Sequence, residues 1–171
     1  CEQPQESGWI KLNTNESVEC SPAALSAIRS IEPDDLRRYP DAMSNELRAE
    51  LARRFDAEPE QFVVGNGSDD ILNLLIRATC EAGDSAVFTM PSYSLYPVMA
   101  QIQGARSVEV PLGADFTLPV RKLSSTRGSI LFITNPNNPA GTWYPPEQIA
   151  EICESGQNLV VVDEAYADFS G

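Results

Sequence analysis

The stretch LVVVDEAY, residues 159–166, indicates both a fold class and a place to look for function. Four consecutive apolar residues, three of them β-branched, are typical of a strand buried on both faces, like the inner strands of a parallel sheet. Asp163 and Tyr166 follow at the carboxyl end of this strand, where ligands of open α/β sheets bind. These two residues are therefore the first candidates for a site, although a single Asp in this place can also simply cap a turn.

Other apolar runs are interpreted as strands, and most of them also end in polar residues. They are FVV at 62–64, AVF at 86–88, SVEV at 107–110 and ILFI at 130–133. Helical patterns lie at 44–56, 68–78, 94–103 and after Pro146, and 113–127 is predicted to be a polar connection. Alternating strands and helices predict an α/β fold with a mainly parallel sheet flanked by helices.

The chain is predicted to have two parts. Residues 1–43 contain several prolines and only one short helical pattern, at 23–31, so they are interpreted as an amino-terminal arm. Residues 44–171 are interpreted as part of one α/β domain, because a chain of 171 residues can bury one ordinary core.

The charge balance and the absence of histidine exclude several kinds of function. With 25 acidic and 12 basic residues the net charge is -13, which argues against nucleic acid or an anionic membrane as a partner. No apolar run approaches the roughly 18 to 20 residues of a membrane span. Without histidine, neither a Ser-His-Asp triad nor a His-containing metal site can be built, and no metal is predicted.

The four cysteines indicate a reduced protein. Cys1, Cys20, Cys80 and Cys153 are widely spaced and form no C-x-x-C pair, which argues against a zinc cluster. A reduced chain with a real core predicts a cytoplasmic location. Cys80 and Cys153 lie in apolar helical patterns and are predicted to be small core residues.

The glycine turn GNGSDD, residues 65–70, is a candidate anion site. It follows a predicted strand and precedes a predicted helix, with Ser68 as the helix cap. Free amides of Gly67, Ser68 and Asp69 and the helix dipole would then point at the same spot. Such turns also occur without a ligand. The side chains of Asp69 and Asp70 would repel a phosphate unless they turn outward.

Two further strand ends add an aromatic ring and fixed amides. Tyr93 follows the strand at 86–88, and the loop NPNNPAG at 135–141 is held irregular by its prolines. With a phosphate cradle and a carboxylate, this set suits a planar, phosphorylated heteroaromatic cofactor. A nucleotide is an alternative, but the turn matches neither G-x-G-x-x-G nor the P-loop. Pyridoxal phosphate accounts for every element, since its ring nitrogen needs a carboxylate partner.

The order of these motifs resembles the amino-terminal part of the fold type I, pyridoxal-phosphate-dependent aminotransferases. Within that family the chain looks most like the histidinol-phosphate aminotransferases. The resemblance covers residues 12–169 and rests on LNTNE (12–16), YPD (39–41), GNGSD (65–69), PSY (91–93), NPNNPAG (135–141) and DEAY (163–166). It implies a fold of the pyridoxal-phosphate-dependent transferase type.

The resemblance also implies roles for the residues at the cofactor ring. Asp163 would pair with the pyridine nitrogen, and Asn138 and Tyr166 would hydrogen-bond the phenolic oxygen. Tyr93 would stack on the ring.

Roles at the phosphate and at the substrate are implied in the same way. The amides of the Gly67–Ser68–Asp69 turn would hold the cofactor phosphate. Tyr39 would reach the phosphate of the neighbouring subunit's cofactor, which implies a homodimer. Asn15 would lie near the substrate.

The implied activity is amino transfer between histidinol phosphate and 2-oxoglutarate, a step of histidine biosynthesis. Threonine-phosphate decarboxylation and aromatic amino transfer on the same scaffold are alternatives, as is a non-catalytic, ligand-sensing domain. The family binds its cofactor as a Schiff base to a lysine, and this chain contains only Lys11 and Lys122. Neither stands in the family's lysine motif, so the chain as given is expected to be an inactive fragment of a longer enzyme.

Overall fold

The computed structural model describes residues 8, 10–11, 13–17 and 19–170. The helices are α1 (Pro22–Arg29), α2 (Pro33–Leu36), α3 (Asn45–Phe55), α4 (Ser68–Thr79), α5 (Leu95–Gln103), α6 (Val120–Ser125) and α7 (Pro146–Glu154). The strands are β1 (Ser85–Met90), β2 (Arg106–Pro111), β3 (Ile130–Thr134) and β4 (Leu159–Asp163). Short 3-10 turns lie at Pro59–Gln61, Ala114–Phe116 and Ala167–Phe169. Every helix in these described ranges is too short or too polar to pass through a bilayer.

The four strands form one sheet in the order β2-β1-β3-β4, and every neighbouring pair is parallel. This confirms the predicted α/β fold. In the register of β3 with β4, Thr134 lies opposite Asp163, so both strands end at the same edge of the sheet. Parallel strands require crossover connections, and helices supply them here.

Two apolar cores cover the two faces of the sheet. The α4–α5 core contains buried Leu72, Ile76, Phe88, Tyr96, Met99, Ala100, Ile130 and Phe132, with smaller neighbours. The α6–α7 core contains buried Val87, Val110, Leu118, Leu123, Leu131, Ile133, Tyr144 and Ile152. Successive residues of a strand point to opposite faces, which is why Phe132 and its neighbour Ile133 belong to different cores. Burial of each large side chain contributes about 1.5 to 3 kcal/mol.

The prediction that residues 159–162 form a strand is confirmed, but the prediction that both faces are buried is wrong. Leu159 is 48% exposed, and the three valines that follow are only half-buried. β4 is the edge strand among the described residues, with β3 on one side of it. Val160 packs against the α6–α7 core and Val161 against the α4–α5 core, so each face is covered only in part.

Residues 62–64 do not form the predicted strand. They run extended outside the sheet, and Val63 is 74% exposed. β-branched residues stabilise a strand mainly through neighbouring strands, and this segment, between a 3-10 turn and a glycine, pairs with none of the four described strands. The helix after it begins at Ser68, so its cap is Gly67 and not Ser68 as predicted.

Two further predictions about local structure are wrong. Residues 113–127 are not only a polar connection, because they include α6, whose Leu123 is fully buried. Cys80 is buried as predicted, but Cys153 is exposed, because α7 turns Ile152 and not Cys153 toward the sheet. Cys1 lies outside the described residues.

The predicted arm contains α1 and α2, and in these two described helices no residue is buried. The short helix predicted at 23–31 is confirmed as α1. α3 begins after Ser44, as predicted, although the carboxylate of Asp41 and not the Ser44 hydroxyl accepts the first free amide, that of Asn45. The division of the chain at residue 43 stays a prediction.

Candidate functional site

A small pocket lies where β3 and β4 end. Its volume is about 80 Å³, and its lining comes from the strand ends, the start of α4 and the loops beside them. The lining residues are Ser68, Tyr93, Thr134, Asn138, Asp163, Ala165 and Tyr166. The structure therefore brings together five residues predicted from four separate motifs: Ser68, Tyr93, Asn138, Asp163 and Tyr166.

Asp163 forms the floor of this pocket and is only 8% exposed. Its Oδ2 accepts a hydrogen bond from the Tyr96 hydroxyl at 2.7 Å, and its Oδ1 accepts one from the Ala165 amide at 3.2 Å. Among the described residues, no Lys or Arg forms an ion pair with it. A buried carboxylate held only by neutral donors is costly unless a cation completes its surroundings, so this floor suits a cationic ligand atom.

Tyr93 stands beside the floor with a fixed ring. Its hydroxyl donates to Asp69 Oδ1 at 2.9 Å, and the edge of its ring meets Tyr96 with centroids 5.6 Å apart. Burial, together with the Asp69 carboxylate, raises the pKa of Tyr93 to about 12. The phenol therefore stays protonated, and the Asp69 carboxylate is held by the Tyr93 hydroxyl.

The first turn of α4 borders the pocket at Ser68. Gly67 occupies the cap position with φ +83°, a conformation that costs other residues strain and that glycine adopts freely. No side chain of the described residues caps this turn through a hydrogen bond. The amides from Ser68 onward and the positive end of the helix dipole are therefore available to an anion. The prediction of a free Gly67 amide is wrong, because this amide donates to the Gly65 carbonyl at 3.0 Å. Asp70 turns back to accept the Asn66 amide at 3.0 Å.

The three asparagines of the 135–141 loop have different tasks. The buried Asn135 side chain accepts the Tyr144 amide at 2.8 Å and donates to the Tyr144 carbonyl at 3.0 Å. Asn137 donates to the Pro91 carbonyl at 3.3 Å and accepts the Ala140 amide at 3.2 Å. Asn138 alone of the three lines the pocket. The loop is thus held by side chain to backbone bonds, which leaves one amide for a ligand.

Tyr166 joins the pocket to the arm. Its hydroxyl oxygen accepts a hydrogen bond from Asn15 Nδ2 at 2.9 Å. Since Asn15 is the donor, the proton of Tyr166 stays available for an acceptor in the pocket. Tyr166 also borders a second, wider cavity of about 550 Å³, which Asn15, Glu16, Ser17, Glu19 and Phe169 complete.

The residues that line the pocket do not include Tyr39, Lys11 or Lys122. Tyr39 is fully exposed, and its predicted role at another subunit's cofactor stays a prediction. Lys11 pairs with Glu16 and also contacts Thr14, and this lysine lowers the pKa of the Glu16 carboxyl. Lys122 belongs to α6, which packs on the other face of the sheet.

Three residues of the site were not assigned a role from the sequence: Thr134, which lines the pocket, and Ser92 and Tyr96, which do not. All are buried, and hydrogen bonds connect them to one another and to Asp163. One signal was available, because Tyr96 follows Tyr93 at a spacing that brings side chains to the same side of a helical turn. Thr134 could have been found as the polar residue that directly follows the apolar run at 130–133, whereas its register with Asp163 is visible only in the structure.

Comparison with known proteins assigns the family. The family described as aminotransferase class I and II matches residues 7–171, almost the whole chain. The chain belongs to this family. This class I and II aminotransferase chain is 44% identical to a histidinol-phosphate aminotransferase of Geotalea uraniireducens over 99% of its own length and 49% of the relative's. It is 38% identical to histidinol-phosphate aminotransferase 1 of Trichormus variabilis, over 98% of its own length and 48% of the relative's.

A solved structure supports the same fold type. The histidinol-phosphate aminotransferase of Sinorhizobium meliloti, determined in complex with pyridoxal-5'-phosphate, superposes with a TM-score of 0.80 at 28% identity. The match covers 88% of this chain and 42% of that one. The aminotransferase chain thus spans about half the length of the relatives it matches.

Proposed function

We propose that the protein containing this chain transfers an amino group from histidinol phosphate to 2-oxoglutarate, with pyridoxal phosphate as cofactor. The products would be imidazole acetol phosphate and glutamate, in histidine biosynthesis. One observation carries the proposal: the buried Asp163 carboxylate lies at the strand ends and pairs with no Lys or Arg of the described residues. A protonated pyridine nitrogen is a cation that this floor would hold.

The other groups of the pocket fit the same cofactor. Tyr93 offers a ring with fixed orientation, while Asn138 and Tyr166 offer donors for a phenolic oxygen. The uncapped first turn of α4, which begins at Ser68, offers amides for a phosphate.

The cofactor and the protein would divide the work. When bound, pyridoxal phosphate supplies an electron sink for chemistry at the carbon that carries the amino group. The residues of this chain would bind the cofactor, orient it and keep the ring nitrogen charged. The amine that forms the covalent link to the cofactor is not assigned to Lys11 or Lys122, because neither lines the pocket.

The named relatives support the proposed substrate, and the position of the arm supports a role of Asn15 beside the pocket. Relatives at 38% and 44% identity are histidinol-phosphate aminotransferases, and Asn15 of the arm bonds directly to Tyr166 of the pocket. We further propose a cytoplasmic homodimer in which Tyr39 serves the partner's site. Full exposure of the Tyr39 ring leaves it available for such a contact.

The test uses the whole protein that contains this chain. Purified protein should bind one pyridoxal phosphate per subunit and form glutamate from 2-oxoglutarate with histidinol phosphate as donor. Phenylalanine and threonine phosphate serve as matched competitors, and each should react at least about tenfold less efficiently, which corresponds to 1.4 kcal/mol at the transition state. If the protein binds one cofactor per subunit but prefers phenylalanine as amino donor, the proposed substrate is contradicted. Absence of cofactor binding would contradict the proposed function as a whole.

A further inference from the structure

Beneath the pocket, three buried hydroxyl groups form a continuous chain that ends at Asp163. Ser92 Oγ lies 3.0 Å from Thr134 Oγ1, and Thr134 Oγ1 lies 2.7 Å from the Tyr96 hydroxyl oxygen. The Tyr96 hydroxyl lies 2.7 Å from Asp163 Oδ2. Tyr96 is fully buried, and Thr134 and Ser92 are 2% and 9% exposed.

The number of protons sets the direction of these bonds. An ionised carboxylate can only accept, so Tyr96 must give its single proton to Asp163. The Tyr96 oxygen is then an acceptor for Thr134, and the Thr134 oxygen is an acceptor for Ser92. All three protons therefore point toward the carboxylate.

Packing leaves the Tyr96 hydroxyl little freedom to choose another partner. The Tyr96 ring stacks on Phe132 with centroids 4.8 Å apart and an angle of 9°, and it meets Tyr93 edge-on. Burial raises the pKa of Tyr96, although the bond from Thr134 opposes that effect. The phenol thus remains a fixed, protonated donor beneath the carboxylate.

On the basis of the proposed function, we propose that Tyr96 is a positioning residue that orients the Asp163 carboxylate toward the ring nitrogen of the cofactor. Thr134 donates to the Tyr96 oxygen and Ser92 to the Thr134 oxygen, so these two hydroxyl groups support the bond from Tyr96 to Asp163. The Asp163 Oδ1 atom, held by the Ala165 amide, is then the oxygen left to face the pocket. Tyr96 itself lies behind the carboxylate and does not line the pocket.

The experiment compares two cofactors and two buried tyrosines in the whole protein. Tyr96→Phe removes the hydroxyl and keeps the ring. Tyr144→Phe is the matched control, since Tyr144 is 2% exposed and its hydroxyl donates to the Phe116 carbonyl at 3.1 Å on the other face of the sheet. The dissociation constants of the cofactor-free proteins are measured for pyridoxal phosphate and for 1-deazapyridoxal phosphate, in which a C–H group replaces the ring nitrogen.

Tyr96→Phe should weaken binding of pyridoxal phosphate by about tenfold or more, the range for a hydrogen bond to a charged group. Binding of the deaza compound should change less than about twofold, because that ring has no nitrogen for Asp163 to hold. Tyr144→Phe should leave both constants unchanged. If Tyr96→Phe does not fold, Thr134→Val replaces it. This substitution removes the hydroxyl that bonds to Tyr96, and the same two dissociation constants are measured.

Three outcomes would overturn the proposal. If Tyr96→Phe weakens binding of both cofactors equally, Tyr96 acts only through packing. The same conclusion follows if Tyr96→Phe and Tyr144→Phe change the dissociation constants equally. An unchanged affinity of Tyr96→Phe for pyridoxal phosphate would show that Asp163 needs no support. The result is independent of the substrate. If Tyr96→Phe weakens binding of pyridoxal phosphate but not of the deaza compound, and the protein fails to use histidinol phosphate, the proposed function is contradicted and this role of Tyr96 is supported.

Discussion

The two faces of the sheet each bury one tyrosine, and the two tyrosines differ in what their hydroxyl groups hold. Tyr96 of the α4–α5 core bonds to the side chains of Asp163 and Thr134, at the edge where the pocket lies. Tyr144 of the α6–α7 core bonds to a backbone carbonyl and is held by Asn135. Both hydroxyls are satisfied, as buried polar groups must be. Only the Tyr96 hydroxyl bonds to a group that can ionise, the Asp163 carboxylate. The α4–α5 face therefore supports the site, while the α6–α7 face supports the fold.

The largest effect should come from the carboxylate itself. In the whole protein Asp163→Ala should lower turnover by roughly 1,000-fold, because the proposed partner of the ring nitrogen is lost. Ile152→Ala in the α6–α7 core is the control, and it should lower stability while turnover of the folded protein stays within about threefold. The measurement is steady-state kinetics with thermal unfolding of the same samples. Near-normal turnover in Asp163→Ala would contradict the conclusion that the α4–α5 face of the sheet supports the site.

The neighbouring residues Phe132 and Ile133 sharpen the comparison, because they point into opposite cores from the same strand. Phe132→Ala should cost about 3 to 5 kcal/mol of unfolding free energy and Ile133→Ala about 2 to 5 kcal/mol. Phe132→Ala should also weaken cofactor binding, since the stacked support of Tyr96 is gone, whereas Ile133→Ala should not. Denaturant unfolding and cofactor titration separate the two effects. Equal cofactor affinities would argue against a special role of the α4–α5 face.

The start of α4 should show a smaller effect. Gly67→Val places a β-branched residue at φ +83°, and strain of about 1 to 3 kcal/mol should weaken cofactor binding about 5- to 100-fold. Ser68→Ala should weaken it less than about threefold, because the backbone amide of residue 68 remains. Equal and mild effects of the two substitutions on the cofactor dissociation constant would indicate an ordinary helix start without an anion.

The smallest effect is expected where the arm meets the pocket. Asn15→Ala removes one exposed hydrogen bond to Tyr166, which is worth about 0.5 to 1.5 kcal/mol. The Michaelis constant for the amino donor should rise by about two- to tenfold, with cofactor affinity nearly unchanged. Asn13→Ala, two residues earlier in the arm, is the control. A loss of cofactor affinity without a change in the Michaelis constant would place Asn15 at the cofactor instead.

The local pattern of apolar residues predicted most of the strands and helices but not where each of them begins and ends. The apolar run at 130–133 is a strand in both the prediction and the structure, because each of its residues is buried whichever face it joins. The run at 62–64 is also wholly apolar but forms no strand, because strand formation depends on a neighbouring strand that sequence alone does not reveal. The cap of α4 was predicted at Ser68 and is Gly67 in the structure, because backbone conformation and not a side-chain oxygen decides where this helix begins.

The sequence by itself determined that strands alternate with helices and that Ser68, Tyr93, Asn138, Asp163 and Tyr166 stand at element ends. Periodicity and turn chemistry are local, so they survive without knowledge of the fold. Tertiary structure alone decided that β4 is the edge strand of the described sheet and that Thr134 meets Asp163. It also decided that the Tyr96 hydroxyl reaches a carboxylate 67 residues away. Such contacts depend on strand order, register and packing, which arise only when distant segments bury their apolar faces together.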